Sequence, residues 1–127
     1  MIRINRLDHL VLTVADIDVT CDFYARVLGM GVVTFGEGRR ALSFGSQKIN
    51  LHQAGREFEP KADRPTPGSA DLCFIAETPL DRVVAHLQTE GIEIEQRPVD
   101  RTGATGAIRS VYFRDPDRNL IEISNYI

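Results

Sequence analysis

Apolar and polar positions alternate through residues 7–14 (LDHLVLTV), and the stretch is rich in β-branched side chains, which predicts a strand. Asp16 follows as a candidate helix N-cap. Ile17, Cys21, Tyr24, Val27 and Leu28 then recur at helical spacing, and Gly29 is a C-terminal stop, so a helix is predicted over 17–28. Three short strands fit about 32–35, 40–44 and 48–53, separated by glycine-containing turns at 36–38 and 45–47. The first half reads β-α-β-β-β.

Residues 55–69 carry charge, Pro60, Pro65, Pro67 and Gly68 without a sustained period, which predicts a linker. The pattern then restarts. A strand is predicted over 71–76, and a helix capped by Thr78 with Pro79 in its first turn buries Val83, Val84 and Leu87 and stops at Gly91. A strand over 92–96, a loop from Pro98 to Gly106, a strand over 108–114, a turn at Asp115-Pro116-Asp117 and a strand over 120–124 complete the half. His9 to Gly29 and Asp71 to Gly91 both span 20 positions, the signature of an internal repeat. The expected fold class is α+β: two paired βαβββ modules forming a curved mixed sheet. They make one domain over 1–127, with module 1 at about 5–54, the linker at 55–69 and module 2 at about 70–127.

The length of 127 residues, with 43% hydrophobic and 26% charged residues, suits one ordinary core. No apolar run approaches the roughly 20 residues that span a bilayer. The N-terminus does not read as a secretion signal, so a cytoplasmic location is expected. The net charge of −3, with basic residues dispersed, disfavours nucleic acid as a partner. Cys21 and Cys73 are too few for a disulfide scaffold or a thiolate metal site, and each reads as a small buried hydrophobe.

Side chains two apart on a strand share a face. His9 therefore goes with Val11 and Thr13, His52 with Asn50, Asp71 with Cys73, and Glu122 with Leu120 and Ser124. Under the repeat, His9 is equivalent to Asp71 and His52 to Glu122. Brought to one point, the four form a nitrogen-and-oxygen donor set suited to Fe(II), Mn(II), Ni(II), Co(II) or Zn(II), one divalent metal per site. Glu122 is the strongest clue, since Leu120, Ile121 and Ile123 otherwise make a clean buried strand and a carboxylate there needs a partner. The structural alternatives are a hydrogen-bonded His9, an edge His52, a capping Asp71, and a Glu122 ion-paired with Arg109 or Arg114. Tyr112 shares a strand face with Ser110, and Arg109 shares the other with Val111 and Phe113. Arg39 and Arg40 open the third strand. Tyr112, Arg109 and Asn50 are candidate substrate contacts. An inward arginine favours an anionic small molecule, and the 98–106 loop is a candidate lid.

The stretches LDHLVLTVADI (7–17), DFYARVLGM (22–30), KINLHQ (48–53) and VYFRDPDRNLIEIS (111–124) resemble the vicinal oxygen chelate superfamily of glyoxalase I, extradiol dioxygenases, methylmalonyl-CoA epimerase, fosfomycin resistance enzymes and bleomycin resistance proteins. The resemblance covers nearly the whole chain. Residues 68–80 (GSADLCFIAETPL) are similar to the small glyoxalase-like "virulence protein" members. It implies metal ligands on the first, fourth, fifth and eighth strands. His9 and Glu122 match that pattern; His52 stands where Glu or Gln is usual, and Asp71 replaces a histidine. The implied chemistry is Lewis-acid catalysis of the glyoxalase or epimerase type, with Glu122 or Asp71 as the base. The alternatives are ring cleavage with Fe(II), thiol addition to an epoxide, and metal-free ligand sequestration. The four potential donors favour the first. A homodimer is also implied.

Overall fold

The computed structural model describes residues 1–127 and divides into two compact units, Met1–Pro67 and Gly68–Ile127. No helix is long and apolar enough to cross a membrane.

The first unit contains β1 (His9–Val14), α1 (Ile17–Leu28), β2 (Gly31–Phe35), β3 (Arg39–Phe44) and β4 (Gln47–Gln53). These strands form one mixed sheet in the order β1-β4-β3-β2, with β1 parallel to β4 and the other pairs antiparallel. The helix carries the crossover after β1. The Asp16 side chain accepts from the Val19 amide at 3.1 Å and so satisfies an otherwise orphan donor of the first turn. At the other end Gly29 turns left-handed at φ 68°, and its amide and that of Met30 bond to Ala25 and Tyr24 carbonyls. Gln53 ties the end of β4 to the start of α1, accepting from the Ile17 amide at 3.2 Å and donating to the Ala15 carbonyl. Thr20, Cys21, Phe23, Tyr24 and Val27 are the helix's buried face. Leu12, Val14, Leu42, Ile49 and Leu51 are the buried sheet positions beneath it. By strand parity the opposite, helix-free face carries His9, Val11, Thr13, Lys48, Asn50 and His52.

The second unit contains β5 (Asp71–Ile75), α2 (Leu80–Thr89), β6 (Gln96–Thr102), β7 (Ala107–Arg114) and β8 (Leu120–Tyr126), in the sheet order β5-β8-β7-β6. Its β5 is parallel to β8, repeating the β1–β4 relation. Val111, Phe113, Ile121 and Ile123 form the buried apolar face of this sheet with Leu80 and Leu87 of α2. The expected α+β class of two βαβββ modules holds, with one four-stranded mixed sheet in each module.

Two expectations fail in the second unit. Residues 92–95 are not a strand; β6 runs from Gln96 to Thr102 through most of the expected 98–106 loop. A bulge between Gln96 and Val99 accommodates Pro98, which cannot donate to a ladder. The segment is therefore paired sheet, not a free lid. Nor does Thr78 cap α2: Pro79 occupies the cap position, and the Leu80 amide is met by the Asn125 side chain of β8 at 2.7 Å.

The turn between β7 and β8 is closed by side chains. Asp115 Oδ1 accepts from the Asp117 and Asn119 amides, both at 2.9 Å, and its Oδ2 accepts from Asn119 Nδ2 at 2.8 Å. Asn119 Oδ1 in turn accepts from the Ala70 amide at 2.9 Å, which pins the start of β5 to the start of β8. Gly68, at φ 82°, passes so close to this turn that a Cβ would lie 2.6 Å from the Asp117 carbonyl oxygen.

Candidate functional site

In each unit the helix-free sheet face carries the polar side chains. On the first unit, register orders this face in rows: His9–Lys48–Ser43, then Val11–Asn50–Ala41, then Thr13–His52 with Arg39 continuing the row to Phe35. His9 and His52 are thus four residues apart along parallel strands, about 13 Å at a 3.3 Å rise per residue, and cannot share an ion within this unit.

Their surroundings also differ. His9 is exposed, and its Nδ1 lies 2.9 Å from Asp8 Oδ2, a contact that holds the Asp8 carboxyl below its usual value. A carboxylate on one ring nitrogen orients the imidazole and leaves Nε2 open, the arrangement found behind metal-bound histidines. His52 is 3% exposed, and its Nε2 lies 3.4 Å from Arg39 Nη2. The guanidinium donates, so Nε2 is the acceptor and is occupied. Burial first, and then the Arg39 charge, push the His52 pKa below its ordinary value, although Glu57 pulls the other way. A dication at Nε2 would face a fixed guanidinium. As a metal ligand, His52 would have to exchange this arginine contact for the ion.

On the second unit the row through Glu122 runs Cys73–Glu122–Tyr112, and the next runs Ile75–Ser124–Ser110. Glu122 Oε2 accepts from Ser110 Oγ at 2.5 Å and from Ser124 Oγ at 3.3 Å, while the two hydroxyls lie 2.6 Å apart. Neither arginine considered for an ion pair reaches it: Arg114 binds Glu95 at 2.7 Å, and Arg109 binds Asp100 at 2.8 Å. Glu122 therefore keeps Oε1 free of serine contacts on a half-buried carboxylate. Tyr112 sits directly opposite Glu122, and its hydroxyl accepts from Arg101 Nε at 3.1 Å. Burial pushes the Tyr112 pKa up despite Arg101, so the phenol keeps its proton.

The remaining candidates fall differently. Asp71 shares this face but pairs with Leu120, and the place opposite Glu122 belongs to Cys73. Cys73 is exposed, contrary to its reading as a buried hydrophobe, whereas Cys21 is buried as expected. The Cys73 Sγ lies 3.3 Å from Ser124 Oγ, and burial of the thiol itself raises its pKa. Arg109 is on the opposite face, ion-paired with Asp100, so it does not join Tyr112 and Glu122. Asn50 is 6% exposed on the His52 face. No group of three or more His, Cys, Asp or Glu side chains is gathered to hold a metal ion. Within the first unit His9 and His52 stand on different rows, and within the second Asp71 and Glu122 do.

Residues 6–123 match the Glyoxalase/Bleomycin resistance protein/Dioxygenase superfamily. The chain belongs to that superfamily. It is 64% identical over 124 residues to virulence protein STM3117 of Salmonella typhimurium, covering 98% of this chain and 86% of that protein. It is 59% identical to the glyoxalase domain-containing protein RDO1 of Mycosarcoma maydis, covering 98% and 70%. The crystal structure of virulence protein STM3117 superposes with a TM-score of 0.98 at 63% identity, covering 99% of this chain and all of that one. Sequence reasoning missed Arg39 as the neighbour of His52, and Cys73 as the neighbour of Glu122. Both juxtapositions come from cross-strand register.

Proposed function

We propose that this superfamily member is a divalent-metal enzyme acting on a small substrate with two neighbouring oxygens, by proton transfer of the glyoxalase or epimerase type. His9 of the first unit and Glu122 of the second are each a candidate metal donor. The observation carrying this reading is that each is oriented by polar neighbours, His9 Nδ1 by Asp8 and Glu122 Oε2 by two serines. A bound divalent ion would supply Lewis-acid stabilisation of negative charge developing on the substrate oxygens. Ser110 and Ser124 fix the carboxylate so that Glu122 can take up a proton without losing its orientation. The protonated Tyr112 hydroxyl accepts from Arg101 and hydrogen-bonds to Glu122, and it is a donor that could pass from the carboxylate to a substrate oxygen.

His52 Nε2 is engaged by Arg39 and Asp71 stands one row from Glu122, so the preference for this chemistry is not drawn from a count of donors. Preference for this chemistry over oxygen chemistry rests instead on Cys73, because a thiol one strand from the metal carboxylate is an oxidation target beside an oxygen-activating iron. The test is deuterium wash-in next to the carbonyl of a panel of 2-hydroxycarbonyl compounds, followed by NMR in D2O with Ni(II), Co(II), Mn(II) or Zn(II). Metal-dependent exchange lost in Glu122→Gln supports the reading. Catechol-dependent oxygen uptake with Fe(II) and no exchange would replace it with ring cleavage, and failure to take up any metal would make the chain a ligand-sequestering protein.

A further inference from the structure

Eight glycines have positive φ, and one residue with a side chain joins them: Arg118, at φ 69° in the turn between β7 and β8. Glycine enters this region freely, whereas a Cβ crowds the following carbonyl oxygen there. Arginine lacks the short polar side chain with which asparagine or aspartate offsets that crowding by a local hydrogen bond. The chain therefore gives up stability at position 118 that a glycine would have kept.

The turn does not need this side chain. The Arg118 amide donates to the Asp115 carbonyl at 2.9 Å, and the Arg118 carbonyl accepts from Arg114 Nη1 at 3.3 Å. A glycine would make both contacts. The side-chain bonds that close the turn belong to Asp115 and Asn119. Arg118 is exposed and its guanidinium forms no ion pair. Its neighbour Glu95 is already held by Arg114 through two bonds, at 2.7 and 2.9 Å. The Arg114 hydrogen bonds keep the Glu95 carboxyl below its usual range, with the Arg118 charge a smaller contribution. Arg109 is committed to Asp100. Of the three arginines on β7 and the turn after it, Arg118 alone leaves its guanidinium unspent.

Its position supplies a use. Arg118 stands two residues before β8 and four before Glu122, so at a rise of about 3.4 Å per residue the two Cα atoms are at most about 14 Å apart. The intervening row runs Asp71–Leu120–Arg114, so a carboxylate and a guanidinium flank Leu120 and balance each other. A small molecule with reacting oxygens at Glu122 and an anionic group at its other end spans the two side chains. A lone guanidinium matches the single charge and planar oxygens of a carboxylate.

We propose that Arg118 is a specificity-determining residue of the Glu122 site, selecting substrates that carry a carboxylate at the end remote from their reacting oxygens. This names a substrate class for the enzyme proposed above and rests on that reading for its role. Binding is measured on metal-free protein, so failure here and failure of metal uptake are separate results.

The probe is 4-(hydroxyacetyl)benzoate, a hydroxyketone with a remote carboxylate, and its comparator is the isosteric benzamide. Each is titrated into the chelated full chain and followed by the backbone amide signals of residues 118–124 in NMR, with thermal unfolding of every variant. The parent should bind the benzoate about 10-fold or more tightly than the benzamide. In Arg118→Gly and Arg118→Asn the benzoate should fall to the benzamide level, with the benzamide itself unchanged, and Arg118→Lys should keep part of the preference. Arg118→Gly should melt no lower than the parent, because the side chain serves the ligand and not the turn. No saturable binding of the benzoate, equal binding of the two probes by the parent, an undiminished preference in Arg118→Gly or Arg118→Asn, or matching losses for both probes would each overturn the proposal. A lower melting temperature for Arg118→Gly would also overturn it, by returning the side chain to the fold.

Discussion

Replacing Asn119 by Ala removes the clasp that positions β8, and with it Glu122, between β5 and β7. Asn119 is 1% exposed, so water does not replace what is lost. Two bonds go: the donation from Nδ2 to Asp115 Oδ2 at 2.8 Å, and the acceptance from the Ala70 amide at 2.9 Å. A hydrogen bond to a charged group contributes about 1.5–3 kcal/mol, and a backbone amide left without an acceptor costs about 1–3 kcal/mol. The Ala70 amide is part-buried, which places its share at the lower end, so the expected total is about 3 kcal/mol. For a chain of 127 residues that corresponds to a fall in Tm of about 12 °C, on a scale of roughly 4 °C per kcal/mol. In urea, with a slope of about 1.5 kcal/mol/M, the midpoint falls by about 2 M. Equilibrium unfolding at pH 7, followed by circular dichroism, reads both. A loss below about 1 kcal/mol at an unchanged slope would refute the claim that this side chain bears the connection.

Stability should also depend on His52. Its native pKa lies below the ordinary value because of burial and Arg39, with Glu57 opposing, so the unfolded chain binds the extra proton first as the solution is acidified. The contribution is complete above about pH 6.5 and is lost as pH falls through that value toward the native one. Comparing unfolding free energies at pH 7.5 and 5.5, His52→Gln should show a smaller acid loss than the parent; equal losses would contradict the assignment. Gly68→Ala should cost about 2 kcal/mol or more, since it combines a left-handed backbone with a Cβ 2.6 Å from the Asp117 carbonyl oxygen, and denaturant unfolding checks it. The homodimer implied by the superfamily resemblance should sediment at micromolar concentration as twice the 14.2 kDa chain, and a monomer alone would overturn it.

What the sequence disclosed was whatever local periodicity encodes. The helix over 17–28 carries its cap, its apolar face and its stop within fourteen consecutive positions, 16–29, and it forms over that span. Strand parity likewise placed Asn50 with His52, and Asp71 with Cys73, on common faces. The misread elements depend on distant partners. β6 is nearly all exposed, and its polar sequence, interrupted by Pro98, carries no alternation; it is a strand because β7 pairs with it at the sheet edge. Ile92 and Ile94 imitate a strand pattern, but the Ile92 amide bonds to the Leu87 carbonyl as the chain leaves α2. The cap of α2 comes from Asn125, 45 residues along the chain from Leu80. The site followed the same rule. His9 and Glu122 stood out locally, whereas the contact of His52 with Arg39 of β3 and the place of Cys73 opposite Glu122 follow from cross-strand register.

Metal binding by untagged, chelated and reloaded protein tests the central claim most directly. Uptake of Mn(II), Co(II), Ni(II), Zn(II) and Fe(II) would be measured by elemental analysis in the parent and in His9→Ala, Glu122→Gln and His52→Gln. The account predicts stoichiometric uptake by the parent and by His52→Gln, and loss of uptake in His9→Ala and Glu122→Gln. Parent protein that takes up none of these ions, or His9→Ala and Glu122→Gln variants that bind as the parent does, would contradict it.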